Sequence, residues 1–153
     1  DEAAAAYQEI LANVARTKPG ARTDGVLVQE MAPAGVEMII GVTKDKQFGP
    51  MLLVGMGGVF VEVFKDAALY PAPLNHDEAI GMLKKLKSYK LLTGYRGAKP
   101  CDIDALADMM VKIGDYACAH CDELKELDLN PVFVYPEGEG VCAVDALIVN
   151  EID

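Results

Sequence analysis

ELDLNPVFVYPEGEGVCAVD, residues Glu126 to Asp145, reads as a strand, a turn and a returning strand. Leu127, Leu129, Val132 and Val134 are the expected buried positions, which places Asp128 and Asn130 on the opposite face of a period-2 strand. Pro131 has no N–H to give to a ladder, and Pro136, Gly138 and Gly140 supply the reversal. The chain then returns along Val141–Val149, carrying Asp145 through a run of Val, Cys, Ala, Leu and Ile to a place beside Asn130. Two carboxylates and an amide oxygen make an all-oxygen set. Such a set suits magnesium, which keeps several waters and takes further oxygens from nucleotide phosphates. A loop Asx pair alone more often forms a turn or a cap. What favours the metal here is that Asp128 and Asn130 sit among strong strand formers, with a further acid at Asp145.

Composition limits the alternatives. The 153 residues, 52% apolar, suffice for one domain with a substantial core, and no apolar run approaches the ~20 residues that span a bilayer. The start, DEAAAAYQEILANVAR, is acidic and then helical rather than signal-like, so a cytoplasmic protein with reduced thiols at Cys101, Cys118, Cys121 and Cys142 is expected. A net charge of −10 argues against nucleic-acid binding, which needs a basic footprint. It also means that, if a triphosphate is bound, most positive charge comes from magnesium or from protein outside this chain.

Taken in order, residues 1–17 form an expected helix with Tyr7, Ile10, Leu11 and Val14 at helical spacing, closed by Lys18-Pro19-Gly20. Val26–Val28 reads as a short buried strand ending in Gln29, Glu30 and Met31, and Val36–Val42 as a second strand, together a hairpin or meander. Thr43–Pro50 is a polar turn, and Met51–Met56 is an apolar strand broken by Gly57-Gly58 before Val59–Phe64. Paired glycines allow either a tight turn or close approach of backbone to phosphate. Asn75 with Glu78 has capping-box spacing for a helix over His76–Lys87. After the connection SYKLLTGYRGAKP, Cys101 or Asp102 caps a helix running to about His120, with Ile103, Leu106, Met109, Met110 and Ile113 inward. Arg96, between two glycines, can bind phosphate or form an ordinary ion pair. Cys118 and Cys121 share one face at the end of that helix. Without a second Cys pair they read as small packing residues rather than a zinc or redox site.

Several of these segments resemble one family. LDLNPVFV followed by VCAVDALI is similar to the last hairpin of the ATP-grasp domain in NDP-forming acyl-CoA synthetases, relatives of the succinyl-CoA synthetase β subunit. GVLVQEM, QFGP, GGVFVEV and GYRG extend the resemblance from about Ala3 to Val149. It implies an α+β fold: the second lobe of an ATP-grasp module over residues 1–153, a mostly antiparallel sheet with helices on one face and the first lobe absent.

It also implies roles for particular residues. Gln29, Glu30 and Met31 would meet the adenine through backbone, Glu37 of Gly35-Val36-Glu37 would bind ribose, and Gly57, Gly58 and Arg96 would lie near phosphates, with Glu62 beside them. Asp128, Asn130 and Asp145 would hold Mg2+, and Asp128 would also orient an incoming phosphohistidine. Relatives often carry Glu where Asp128 stands, one methylene longer. The implied reaction uses ATP/ADP as substrate, and the implied partners are the first ATP-grasp lobe and a CoA-binding, phosphohistidine-bearing domain or subunit, with no nucleic acid and no membrane. Two alternatives remain at this point: a catalytically silent lobe serving subunit interaction or regulation, and an ATP-grasp ligase for another carboxylate.

Overall fold

The computed structural model describes residues 2–58 and 66–151. Its contacts divide the chain into two compact units, Asp1–Met31 and Ala32–Asp153. The first unit holds helix α1 (Glu2–Thr17), as its alanine-rich composition predicts, and none of its residues is buried. Beyond it the chain is irregular to residue 35.

The expected strand at Val26–Val28 does not form, and Leu27, Val28 and Met31 are exposed. The hairpin expected of GVLVQEMAPAGVEMIIGV is therefore corrected to a single strand, β1 (Val36–Asp45). The reason is a matter of edges. β1 bonds to β2 along one side and β4 along the other, so it offers no edge to residues 26–31.

The second unit is a six-stranded sheet whose pairings are all antiparallel. It contains β1, β2 (Gly49–Met56), β3 (Ala67–Pro71), β4 (Leu124–Val134), β5 (Val141–Ala143) and β6 (Ala146–Asn150). The order is β3-β2-β1-β4-β5, with β6 continuing along the same edge of β4 as β5. The Asp45 carboxylate accepts the N–H groups of Gln47 (2.7 Å) and Phe48 (2.9 Å), which tightens the β1–β2 turn to fewer residues than Thr43–Pro50. β3 was not expected, because DAALY is alanine-rich and carries almost no strand signal. Positions 59–65, including Glu62 and the strand expected at Val59–Phe64, lie outside the described residues.

Helices α2 (His76–Lys85), α3 (Tyr89–Leu92) and α4 (Ile103–Ala119) complete the unit, with a 3-10 turn at Tyr95–Gly97. α2 opens with the full capping box: Asn75 Oδ1 accepts from Glu78 N (2.9 Å), and Glu78 Oε2 accepts from Asn75 N (2.8 Å). Met38, Ile40 and Val42 of β1, Leu52 and Val54 of β2, and Leu127, Leu129, Val132 and Val134 of β4 share one core with Met82, Leu83, Leu106, Ala107, Met110 and Ala117 from the helices. Alternation sends Glu37, Ile39, Gly41 and Thr43 to the other, uncovered face. Among the described residues, the helices of this unit thus cover one face of its sheet and leave the other open.

The core carries a direct stability test. Ile40 is fully buried at the centre of the sheet, so Ile40→Ala should cost about 2–5 kcal/mol in denaturant unfolding. Leu147→Ala, at a position 55% exposed, should cost only a small fraction of that.

Candidate functional site

β4 brings the hairpin residues together. Leu127 and Leu129 point into the core, and so do Val132 and Val134, which requires one extra residue between the pairs. The β1–β4 register steps accordingly from Ile40↔Leu129 to Met38↔Val132, a bulge at Asn130-Pro131. The returning chain breaks its ladder at the same level, between β5 and β6. Asn130 N–H donates to Asp145 O (3.3 Å), and Val144 N–H donates to Pro131 O (3.0 Å). Asn130 and Asp145 therefore face one another, both exposed, and Asp128 is half-buried two residues before Asn130.

Negative charge accumulates there. Burial raises the Asp128 carboxyl above its ordinary value, and the negative charges of Glu126 and Asp145 raise it further. Asp145 Oδ1 accepts the Ala146 N–H (2.8 Å), which steers this side chain locally. Among the described residues, no three Asp, Glu, His or Cys side chains lie close enough to hold a metal by themselves. Two carboxylates and an amide instead fit a cation that retains waters and shares its remaining oxygens with a nucleotide.

A second group gathers farther along the open face. Gly57 N–H donates to Glu37 O (2.7 Å), and a Cβ on Gly57 would lie 2.9 Å from Glu37 Cβ. Gly58 has φ +65°, and a Cβ there would lie 2.9 Å from Glu37 Oε2. Glycine is thus needed at both positions for Glu37 to sit against the loop. Gly41, four residues from Glu37 on β1 and so about 13 Å along the strand, pairs with Asp128.

Gly41 is a residue that motif reading passed over. It opens a hollow of about 260 Å³ lined by Ile39, Thr43, Leu53, Glu126 and Asp128. The available signal was a glycine inside the apolar run MIIGV, which marks space for a ligand or another backbone.

The remaining candidates are placed less closely. Gln29, Glu30 and Met31 end the first unit as exposed, irregular chain, whereas Glu37 belongs to the second. Arg96 adopts φ 53° in the 3-10 turn, with its guanidinium carbon 5.3 Å from the centroid of the Tyr95 ring. It forms no ion pair among the described residues. Cys118 and Cys121 are free thiols, and burial followed by the Cys121 and Asp115 charges pushes Cys118 up, opposite to an activated thiolate.

The raised Asp128 carboxyl gives a signed expectation. Its folded value lies above the unfolded one, so its contribution to stability is fully present below about pH 4 and disappears as pH rises through the folded value. At neutral pH without metal, Asp128→Asn should therefore stabilise the fold, by up to about 1 kcal/mol for a partly solvated group. The gain should vanish in acid. Thermal melts of both proteins across pH 3–8 would show this, and equal stability at pH 7 would contradict it.

Comparisons with known proteins identify the family and the fold. The model of a family described as ATP-grasp domain matches residues 1–149. The ADP-forming acetate–CoA ligase I of Archaeoglobus fulgidus is 45% identical over 147 residues, 96% of this chain and 21% of that protein. The β subunit of the Pyrococcus furiosus ADP-forming acetate–CoA ligase I is 42% identical over 149 residues, 97% of this chain and 63% of the subunit. A structure of the dinucleotide-forming acetyl-coenzyme A synthetase 1 of Ca. Korarchaeum cryptofilum superposes with a TM-score of 0.84 at 45% identity, covering 98% of this chain and 63% of that one. That structure contains coenzyme A and Mg-AMPPCP, with a phosphohistidine segment pointing towards the nucleotide-binding site. The chain spans less than two thirds of these relatives, and over nearly all of its own length it belongs to the ATP-grasp domain family.

Proposed function

We propose that this chain is the nucleotide- and Mg-binding lobe of an NDP-forming acyl-CoA synthetase, acting within a larger protein or complex. The overall reaction would convert acyl-CoA, ADP and phosphate into acid, CoA and ATP. The phosphoryl group would travel on a histidine carried by another domain or subunit. The observation that carries this proposal is the pairing of Asn130 with Asp145 across the β4 bulge, with Asp128 beside them on an open sheet face.

Each residue has a defined task under this assignment. Asn130 offers an amide oxygen, and Asp128 and Asp145 offer carboxylate oxygens, to a magnesium ion that would neutralise charge on the transferring phosphoryl group. Glu37, held against Gly57 and Gly58, presents acceptor-only oxygens suited to ribose hydroxyls. Its separation from the Asp128 row, about 13 Å along β1, is the length scale of a nucleoside and its phosphate chain. Asp128 would also orient an imidazole arriving at the phosphates, accepting its N–H when ionised. The backbone of Gln29–Met31 would meet the base. The excess of 24 acidic over 14 basic residues leaves further phosphate neutralisation to the other ATP-grasp lobe.

Asp145→Asn keeps shape and removes charge from the metal side. In the complete enzyme it should raise the magnesium concentration for half-maximal activity at least as much as the roughly 10- to 100-fold loss caused by removing groups that merely support metal ligands. Folding should be preserved, because the side chain is exposed. Unchanged magnesium dependence would remove Asp145 from the site.

A further inference from the structure

We infer that Asp102, at the N-terminus of α4, is a positioning residue for the metal-side hairpin. This inference rests on the metal assignment of Asp145 and adds a residue more than forty positions away in sequence.

Asp102 does two jobs with two oxygens. Oδ1 accepts the Ala105 N–H (3.1 Å) and caps α4. Oδ2 accepts the N–H groups of Gly138 (3.0 Å) and Gly140 (2.9 Å), both in the turn joining β4 to β5. Both glycines have φ +82°, a conformation that turns their N–H groups to a single external acceptor. The surrounding backbone repeats the tether: Asp102 N–H donates to Tyr135 O (2.8 Å), Glu137 N–H donates to Pro100 O (3.0 Å), and Cys101 bridges to Pro136. These hydrogen bonds hold the Asp102 carboxyl below its ordinary value, Ala105 first, then Gly140 and Gly138, so it is ionised at neutral pH.

The consequence falls on Asp145. β5 has only three residues, pairs with β4 alone and ends one residue before the break that contains Asp145. Opposite that break, β4 offers Pro131, which has no N–H to donate. The connection at Asp145 itself is the long Asn130 N–H···O contact of 3.3 Å. β6 fixes the far side of the break, from Ala146↔Leu129 onward, whereas on the near side only the three-residue β5 ladder and the Val144 N–H to Pro131 O bond (3.0 Å) hold the chain, and a slip of one residue there would reverse the face of its side chains. Asp102 adds a hold on that side, anchoring the hairpin to the helical layer.

Asp102→Ser separates the two jobs. A serine hydroxyl still caps α4, but it is too short to reach the Gly138 and Gly140 N–H groups. In the complete enzyme the variant should retain its helix content. It should need on the order of tenfold more magnesium for half-maximal activity, the lower end for groups that orient metal ligands, and recover its kcat at saturating magnesium. A purely structural cap would lower thermal stability without moving the magnesium requirement. If the serine variant does not fold, Asp102→Thr, whose hydroxyl likewise caps the helix but is too short to reach the glycines, must show the same shift. An unchanged magnesium requirement in whichever variant folds, while Asp145→Asn raises it, overturns the tether alone. If Asp145→Asn also leaves it unchanged, the metal assignment falls and the tether falls with it.

Discussion

Hydrogen bonding of β4 along both of its edges is the constraint on which the rest of the second unit depends. β1 takes one edge, and the returning chain, as β5 and β6, takes the other. This double pairing makes Leu127, Leu129, Val132 and Val134 the floor of the core and so gives α4 a surface to cover. Because the two buried pairs are out of phase by one residue, the strand must bulge between them, at Asn130-Pro131. The same packing requirement that builds the core therefore creates the interruption in the β1–β4 ladder. The main chains of Asn130 and Asp145 meet at that interruption.

Such a site has a cost in the absence of a ligand. Asp128 is half-buried and sits near two other negative charges, so its ionised form is disfavoured. Glu37 lies against two glycines whose lack of side chains leaves room and little else. The core beneath is continuous, and the loss of local stability above it is tolerated because Ile40, Leu52, Met82 and Met110 are fully buried. On the open face the hollow at Gly41 is lined by Ile39, Leu53 and Asp128.

Much of this was legible in the residues themselves. The buried positions of β4, the capping box at Asn75, the cap at Asp102 and the inward face of α4 follow from local spacing, because each depends on neighbours within one element. The return of Asp145 to Asn130 followed from a hairpin with a Pro and Gly turn. The failures concern partners remote in sequence. Val26–Val28 has strand-forming side chains, but propensity does not say whether an edge is free, and β1 has none. β3 exists because β2 presents an edge to it, although Ala67-Ala68 carries almost no strand signal of its own. Asp102 looks like an ordinary helix cap until the turn 36 to 38 residues away folds onto its second oxygen.

The central claim is that one divalent cation, carried with the nucleotide, meets the open sheet face at the β4 bulge. Manganese in place of magnesium makes this directly visible, since its unpaired electrons broaden the NMR signals of nearby nuclei. In the complete enzyme with Mn-ADP, the amide signals of Asp128, Asn130 and Asp145 should be lost first, while those of Glu78 in α2 and Tyr116 in α4, beyond the core on the helical face, should persist. Selective broadening of the helical face, or broadening at the bulge no stronger than elsewhere, would contradict the account.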